Sequence, residues 1–238
     1  QRGNVALNNQ QVLNAILYVA EHGCKWRGLP EHFGNWHTIY TRMNRWAKNG
    51  VLDRVFSELQ RQQVIRVRVE AVSLDSTAVK VHPDGTGAPK KNGPQAIGKS
   101  RAGWTTKIHM VAADARTAVN FSLSPGNAGD APEGRKLLKA TTLSAKYMIM
   151  DRAYEGDETR QLVLDLGLTP VVPPKSNRIE PWQYDREMYK KRSEIERLFR
   201  RLKGFRRIFS RFDKLDVVFT FFIHFALIAD ALNSVNTP

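Results

Sequence analysis

Between residues 10 and 68 the apolar positions recur at helical spacing: Val12, Leu13, Ile16, Leu17 and Ala20, then Ile39, Met43, Trp46 and Ala47, then Leu52, Val55, Phe56 and Leu59. Gly23, the Leu29-Pro30 pair, Gly34-Asn35 and Asn49-Gly50 interrupt that rhythm. The segment therefore predicts a first helix, a short one over 30–33, a tight turn, a helix over 36–48 and a fourth from residue 51. After Glu70 the period changes. Stretches 71–81, 105–113, 118–123, 146–150 and 169–172 are rich in Val, Ile and Thr or alternate in polarity, which predicts strands. Pro170 makes the last of these the least strand-like. Helical stretches at 133–140 and 158–166 fall between the later strands. Three strands in a row followed by alternating helix and strand predict an α/β fold, a mixed sheet flanked by helices, behind a small all-helical segment.

Local chemistry refines several of these elements. Asp130 and Glu133 stand at N-cap and N3 spacing and read as a capping pair. Asp114, between two strands, reads as a hairpin turn former. Residues 82–103 hold five glycines and three prolines, a pattern that excludes regular structure. Lys90, Lys91, Lys99 and Arg101 would let this stretch lie along phosphates; a solvated loop is the other reading. Residues 215–232 are strongly apolar but contain Asp216, His224 and Asp230, costly at a bilayer centre, so they predict a buried helix and no membrane span. The expected organisation is a helical domain over 1–68, an α/β domain over 69–212, and a C-terminal helix over 213–238 packed on it.

The 37 Lys and Arg against 23 Asp and Glu give a net charge of +14, which suits a polyanionic partner, nucleic acid first. Cys24 is the single cysteine, so no intrachain disulfide forms and a reducing cytosol fits. Residues 1–9 are polar and lack a Met, which predicts neither a signal peptide nor a natural start, with sequence missing upstream. The short helix, Gly-containing turn and helix carrying Arg42, Arg45 and Lys48 have the layout of a helix-turn-helix. A purely structural or dimerising bundle has the same layout.

Candidate chemistry lies in three carboxylates. Asp75 falls inside the strand-like run Val72-Ser73-Leu74-Asp75-Ser76-Thr77, where a carboxylate facing a core needs a cation or hydrogen bonds. Asp151 ends the apolar run Tyr147-Met148-Ile149-Met150, at the carboxyl end of a strand, where open sheets meet ligands. Each alone could equally be a salt-bridge partner or a turn former. Residues 185–208 read as one long helix, and at about 100° per residue Tyr189, Arg192, Glu196 and Lys203 share a stripe roughly 60° wide, with Glu194 well outside it. Residues 186–211 hold eleven Lys or Arg against three Glu, a net +8, more clustered than a solvated face requires. His109 reads as a satisfied sheet residue, and Trp104 either as a core anchor or as a stacking surface for a base.

Tyr189, Arg192, Glu196 and Lys203, separated by two, three and six residues, resemble the Tyr-(2)-Arg-(3)-Glu-(6)-Lys signature of bacterial insertion-sequence DDE transposases. The runs Leu74-Asp75-Ser76-Thr77, Thr105-Thr106-Lys107-Ile108-His109, Asp151-Arg152-Ala153-Tyr154 and Gly23-Cys24-Lys25-Trp26-Arg27 resemble the insertion-sequence-five-like group of that family. The resemblance implies a ribonuclease-H-like mixed five-stranded sheet with Asp75, Asp151 and Glu196 as a catalytic triad holding Mg²⁺, for which Mn²⁺ can substitute. It further implies cleavage of transposon ends by water and joining of the freed 3′-hydroxyl to target DNA, by a homodimer in the bacterial cytoplasm at the nucleoid. Arg192 and Lys203 are then expected near the phosphates of the terminal inverted repeats, with Tyr189 beside them. The further expected DNA contacts are Arg200, Arg206 and Arg207 from the basic helix, Lys107 from the second strand, and Arg42, Arg45 and Lys48 from the helical part. Two other classes use a similar sequence differently: a regulator that binds DNA without cutting it, and a ribonuclease-H-like nuclease or resolvase that cuts without joining.

Overall fold

The computed structural model describes residues 7–88 and 92–235. Lys90 and Lys91, and the polar start before Leu7, lie outside the described residues. The helical segment begins with α1 (Asn9–His22), set by a capping box in which the Asn8 side chain accepts from the Gln11 N–H and the Gln11 side chain from the Asn8 N–H. Gly23 ends it in the left-handed region at φ 66°. Two 3₁₀ turns follow, Trp26–Gly28 and Glu31–Phe33. The side chain of Asn35 then accepts from His37 and Thr38 N–H groups and starts α2 (Trp36–Lys48), and α3 (Val51–Arg61) follows Gly50.

The sheet contains β1 (Ala71–Val81), β2 (Gly98–Ser100), β3 (Gly103–Ala112), β4 (Ala118–Pro125), β5 (Tyr147–Met150), β6 (Thr169–Val171) and β7 (Ser210–Arg211). Its principal order is β4-β3-β1-β5-β6, with antiparallel pairing from β4 to β1 and parallel pairing from β1 to β6. This is the mixed five-stranded, ribonuclease-H-like sheet expected of the sequence. Pro170 is accommodated because β6 is an edge strand.

Two further strands extend it. β2 folds back on β3 inside the stretch expected to be irregular, and Gly98 permits this: a Cβ there would meet Pro125 Cβ at 2.9 Å and overlap the Asn127 side chain. β7 runs parallel to the end of β1, pairing Lys80 and Val81 with Ser210 and Arg211.

Helices cover both faces. On one, α4 (Asp130–Lys139) and α5 (Asp157–Asp165) enclose Val72, Leu74, Met148 and Met150 with Leu137, Leu138 and Val163. On the other, Val79, Ile108 and Met110 meet α7 (Ser193–Leu202) and α9 (Asp216–Val235), and this core continues without interruption into Ile16, Ile39, Met43 and Phe56 of α1 to α3. α9 carries the one stretch among the described residues, Asp216–Asn233, long and apolar enough to cross a bilayer; its Phe219, Phe222, Ile223 and Ala226 are buried in that shared core.

Two expectations are corrected. Residues 185–208 are not one helix: α6 (Arg186–Lys190) and α7 are separated at Lys191 and Arg192, where the hydrogen bonds tighten to i→i−3. α7 ends at Leu202, and α8 (Arg206–Phe209) starts after an extended Phe205. The second break redirects the chain so that β7 can reach β1. Asp130 is not an N-cap either. Gly129 takes that position, and the Asp130 carboxylate instead accepts from Ser76 Oγ (2.9 Å) and Lys107 Nζ (2.9 Å), so cross-sheet partners displace local capping.

Candidate active site

Strand alternation on β1 sends Val72, Leu74 and Ser76 toward α4 and sends Asp75, Thr77 and Val79 toward α7. The Asp75 side chain is 16% exposed. Its Oδ1 accepts from the Ser76 N–H at 2.7 Å, and its Oδ2 lies 3.5 Å from the Arg192 guanidinium. Burial raises its pKa to about 6, and the negative charges of Asp151 and Glu196 push the same way against the Ser76 hydrogen bond and Arg192.

Asp151 reaches Asp75 through sheet register. Leu74 pairs with Met150 in the parallel β1–β5 ladder, and the next residue on each strand is a carboxylate. Asp151 Oδ1 accepts from the Arg152 N–H at 2.6 Å and starts a 3₁₀ turn, Arg152–Tyr154. Tyr154 closes that turn with its ring buried against Leu74 and α4. Gly134 leaves the space: a Cβ there would stand 2.6 Å from Tyr154 Cε1 and 3.2 Å from Leu74 Cδ2.

α7 supplies the third carboxylate. Glu196 Oε1 accepts from Arg192 at 2.7 Å, and the guanidinium lies 5.9 Å from the Tyr189 ring centroid. Lys203 donates to Thr77 Oγ1 (2.6 Å) and the Ala78 carbonyl (3.1 Å), and burial lowers its pKa. Arg192, Glu196 and Lys203 therefore lie over β1. Glu194 points elsewhere, to Arg197 and to the Ala115 N–H in the β3–β4 hairpin, whose turn Asp114 holds by accepting from the Arg116 N–H.

Three carboxylates give an all-oxygen donor set, which suits Mg²⁺. Among the described residues, however, no three His, Cys, Asp or Glu side chains stand close enough to hold a metal ion as they are. The group joining Asp75 to Glu196 is Arg192.

The other sequence-derived candidates divide by placement. Arg45, Lys48, Arg200 and Arg206 are exposed. Arg207 is buried and ion-paired to Asp213 at 3.0 Å, so it is not offered to DNA; the break at Gly204 turns α8 so that Arg206 faces outward and Arg207 inward. Arg42 donates to the Leu7 carbonyl at 2.6 Å and to Asn9, and Lys107 is tied to Asp130 and the Ala128 carbonyl on the α4 side, across the sheet from Asp75. Trp104 is 52% exposed and not a core anchor. His109 is fully buried, with Nε2 2.8 Å from Ser124 Oγ and Nδ1 without a partner among the described residues. Sequence reasoning missed the Ser76–Lys107–Asp130 cluster, although alternation on β1 already assigns Ser76 to the face opposite Asp75.

The division of the basic residues predicts a contrast. Replacing Arg200 and Arg206 together by Ala should reduce the slope of log affinity against log salt by about 2, roughly one for each phosphate no longer neutralised. Arg207→Ala should leave the slope unchanged and lower the melting temperature instead, because it strands a buried Asp213. Filter-binding titrations over a range of salt concentrations, run beside thermal melts, would show whether the two effects separate.

Residues 69–229, about two thirds of the chain, match the family described as "Transposase DDE domain", and residues 1–56 match "Putative transposase of IS4/5 family". The "Putative transposase for insertion sequence element IS6501" of Brucella ovis is 32% identical over 123 residues, 51% of this chain and 94% of that protein. The uncharacterized protein y4sN of Sinorhizobium fredii is 36% identical over 86 residues, 36% of this chain and 66% of its own length. Among solved structures, a piggyBac transposase synaptic complex with hairpin DNA superposes with a TM-score of 0.40 at 11% identity, over 72% of this chain and 43% of that one. A pre-cleavage Mos1 transpososome gives 0.29 at 12%, over 95% and 78%. The strand order, rather than these superpositions, defines the fold. Together with the family match over most of its length, it identifies the chain as a member of the DDE-domain transposases.

Proposed function

We propose that this chain cleaves the ends of a bacterial insertion sequence and joins them to target DNA by divalent-metal-dependent phosphoryl transfer. The observation that carries this reading is the convergence of Asp75 from β1, Asp151 from the end of β5 and Glu196 from α7 on one face of the sheet, with Arg192 among them and Lys203 alongside.

Asp75, Asp151 and Glu196 would hold Mg²⁺, or Mn²⁺ in its place. When bound, the metal supplies Lewis-acid stabilisation to the attacking and leaving oxygens of an in-line displacement. In cleavage, water attacks the phosphorus at the transposon end, the P–O3′ bond breaks, and a 3′-hydroxyl leaves. In joining, that hydroxyl attacks a target phosphodiester and displaces the target's own 3′-oxygen, so no covalent bond to the protein forms. Arg192 and Lys203 orient the end through its phosphates, with Tyr189 packed beside them; Arg200, Arg206, Arg45 and Lys48 extend the basic surface. The substrates are the terminal inverted repeats and target duplex. Residues 1–68 serve in DNA binding or dimerisation and 69–212 in catalysis, with the helix Asp216–Val235 packed on them, within a homodimer at the bacterial nucleoid.

A strand-transfer assay with a labelled, pre-cut transposon end tests this. A joined product in Mg²⁺ is the expected result. Cleavage of uncut ends without joining would replace the reading with a nuclease, and bound DNA with neither product would replace it with a regulator.

A further inference from the structure

Arg192 makes the two acidic contacts that hold the site together. One guanidinium nitrogen lies 3.5 Å from Asp75 Oδ2 and another 2.7 Å from Glu196 Oε1, and the side chain is 25% exposed. A guanidinium has donors only, so it binds these oxygens through the same lone pairs that a divalent cation would take. Its positive charge also repels such a cation at close range. No three acidic or His side chains among the described residues are gathered closely enough to hold a metal as they stand. Arg192 therefore competes with a cation for Asp75 Oδ2 and Glu196 Oε1.

The same guanidinium is suited to another acceptor. Its planar fork matches phosphate as well as carboxylate, and its partial exposure leaves it within reach of a DNA backbone. Arg192 is the N-cap of α7, directly after the break from α6, so its side chain projects from a helix start and not from within a continuous helix.

We propose that Arg192 is an exchangeable counter-ion, holding Asp75 and Glu196 in the free protein and passing to a DNA phosphate on binding, so that DNA and divalent cation bind cooperatively. This deepens the proposed function and rests on its assignment of the carboxylates as metal ligands. Arg192 is then a positioning residue, and the coupling is reciprocal: DNA tightens metal binding by the same factor as metal tightens DNA binding.

The test is equilibrium binding of Mn²⁺ to the full chain, read by electron paramagnetic resonance of the free ion, with and without a short DNA duplex and corrected for Mn²⁺ bound to the duplex alone. The expected result is that the duplex tightens Mn²⁺ binding by about fivefold or more. Arg192→Gln should bind Mn²⁺ more tightly than the wild type without DNA and lose most of the gain on adding it, with its fold monitored by thermal melting. Wild-type affinity unmoved by duplex, or Arg192→Gln no tighter than wild type, overturns the exchange. The underlying site is read separately. Mn²⁺ binding abolished in Asp75→Asn keeps the carboxylate site standing whatever Arg192 does, and Mn²⁺ binding that survives that substitution overturns both.

Discussion

Asp75→Asn is expected to abolish DNA cleavage and at the same time make the metal-free protein more stable. The first effect follows from the proposed role. Loss of one carboxylate from the metal site should slow cleavage roughly a thousandfold or more, the equivalent of about 4 kcal/mol. Asp151→Asn and Glu196→Gln should do the same, and all three variants should still bind end DNA, because none removes a positive charge. Full cleavage by any one of them in Mg²⁺ or Mn²⁺ would remove that residue from the site.

The second effect follows from burial. Asp75 has its pKa raised from 3.8 to about 6, chiefly because its charge is desolvated. Its ionised form is therefore disfavoured in the folded state. The penalty is absent below about pH 4, grows as pH rises through the interval to about 6, and is complete above it. At about pH 7.5 in chelator, an isosteric Asn should stabilise the fold by about 1–3 kcal/mol. For a chain of this length that is a rise of about 2–10 °C in melting temperature. The gain should vanish near pH 4. A variant no more stable than the wild type at neutral pH, or a gap that widens on acidification, would show that Asp75 is not a strained charge. The Glu196 side chain is 40% exposed against 16% for Asp75, so the paired gain of stability and loss of activity should be more pronounced at Asp75 than at Glu196.

The largest expected loss of stability lies at Arg211, far along β1 from the carboxylates. Its side chain is 0% exposed, yet every part of the guanidinium is satisfied. It donates to the Asp213 carbonyl (2.9 Å), Thr106 Oγ1 (2.9 Å), the Ala96 carbonyl (3.3 Å) and Asp216 Oδ1 (2.7 Å), and packs 5.0 Å from the Phe219 ring centroid. Asp216 in turn accepts from the Ala96 N–H, and its own N–H donates to the Gln95 side chain. One side chain thus joins β7, β3, the start of α9 and the returning arm of the glycine-rich stretch. Arg211→Ala should cost about 3–5 kcal/mol, because it removes the cationic partner of Asp216 and the donor to the Asp213 carbonyl from a buried network. Arg211→Lys should recover little of this, since an ammonium cannot span the same acceptors. Urea denaturation gives the loss directly, and limited proteolysis should show new cutting within residues 92–97. A loss below about 1 kcal/mol would mean that these groups find water or each other instead.

How far the sequence anticipates these features depends on whether local or distant forces decide them. α2 begins and ends at the residues its pattern predicts because Asn35 and Asn49-Gly50 act within one turn of the helix they bound. The preference for Glu196 over Glu194 is likewise a matter of angle around one helix, and the two side chains do diverge, one toward Arg192 and the other toward the β3–β4 hairpin. Asp130 reads as a cap until a lysine from a neighbouring strand claims it. Arg206 and Arg207 are indistinguishable as sequence, and their fates separate only because Gly204 and Phe205 reorient the chain. The strands β2 and β7 are so short that their existence depends on the partners they meet, not on their own residues.

The unbroken core that runs from α1, α2 and α3 through α9 to the underside of the sheet has a mechanical meaning. A DNA-holding segment on a flexible tether could grip its recognition sequence at one place while the scissile bond wandered. Here the surface of α2 bearing Arg45 and Lys48 is welded to the sheet bearing Asp75. On the proposed function the fold is then a ruler, and the number of base pairs between grip and cut is written into its packing.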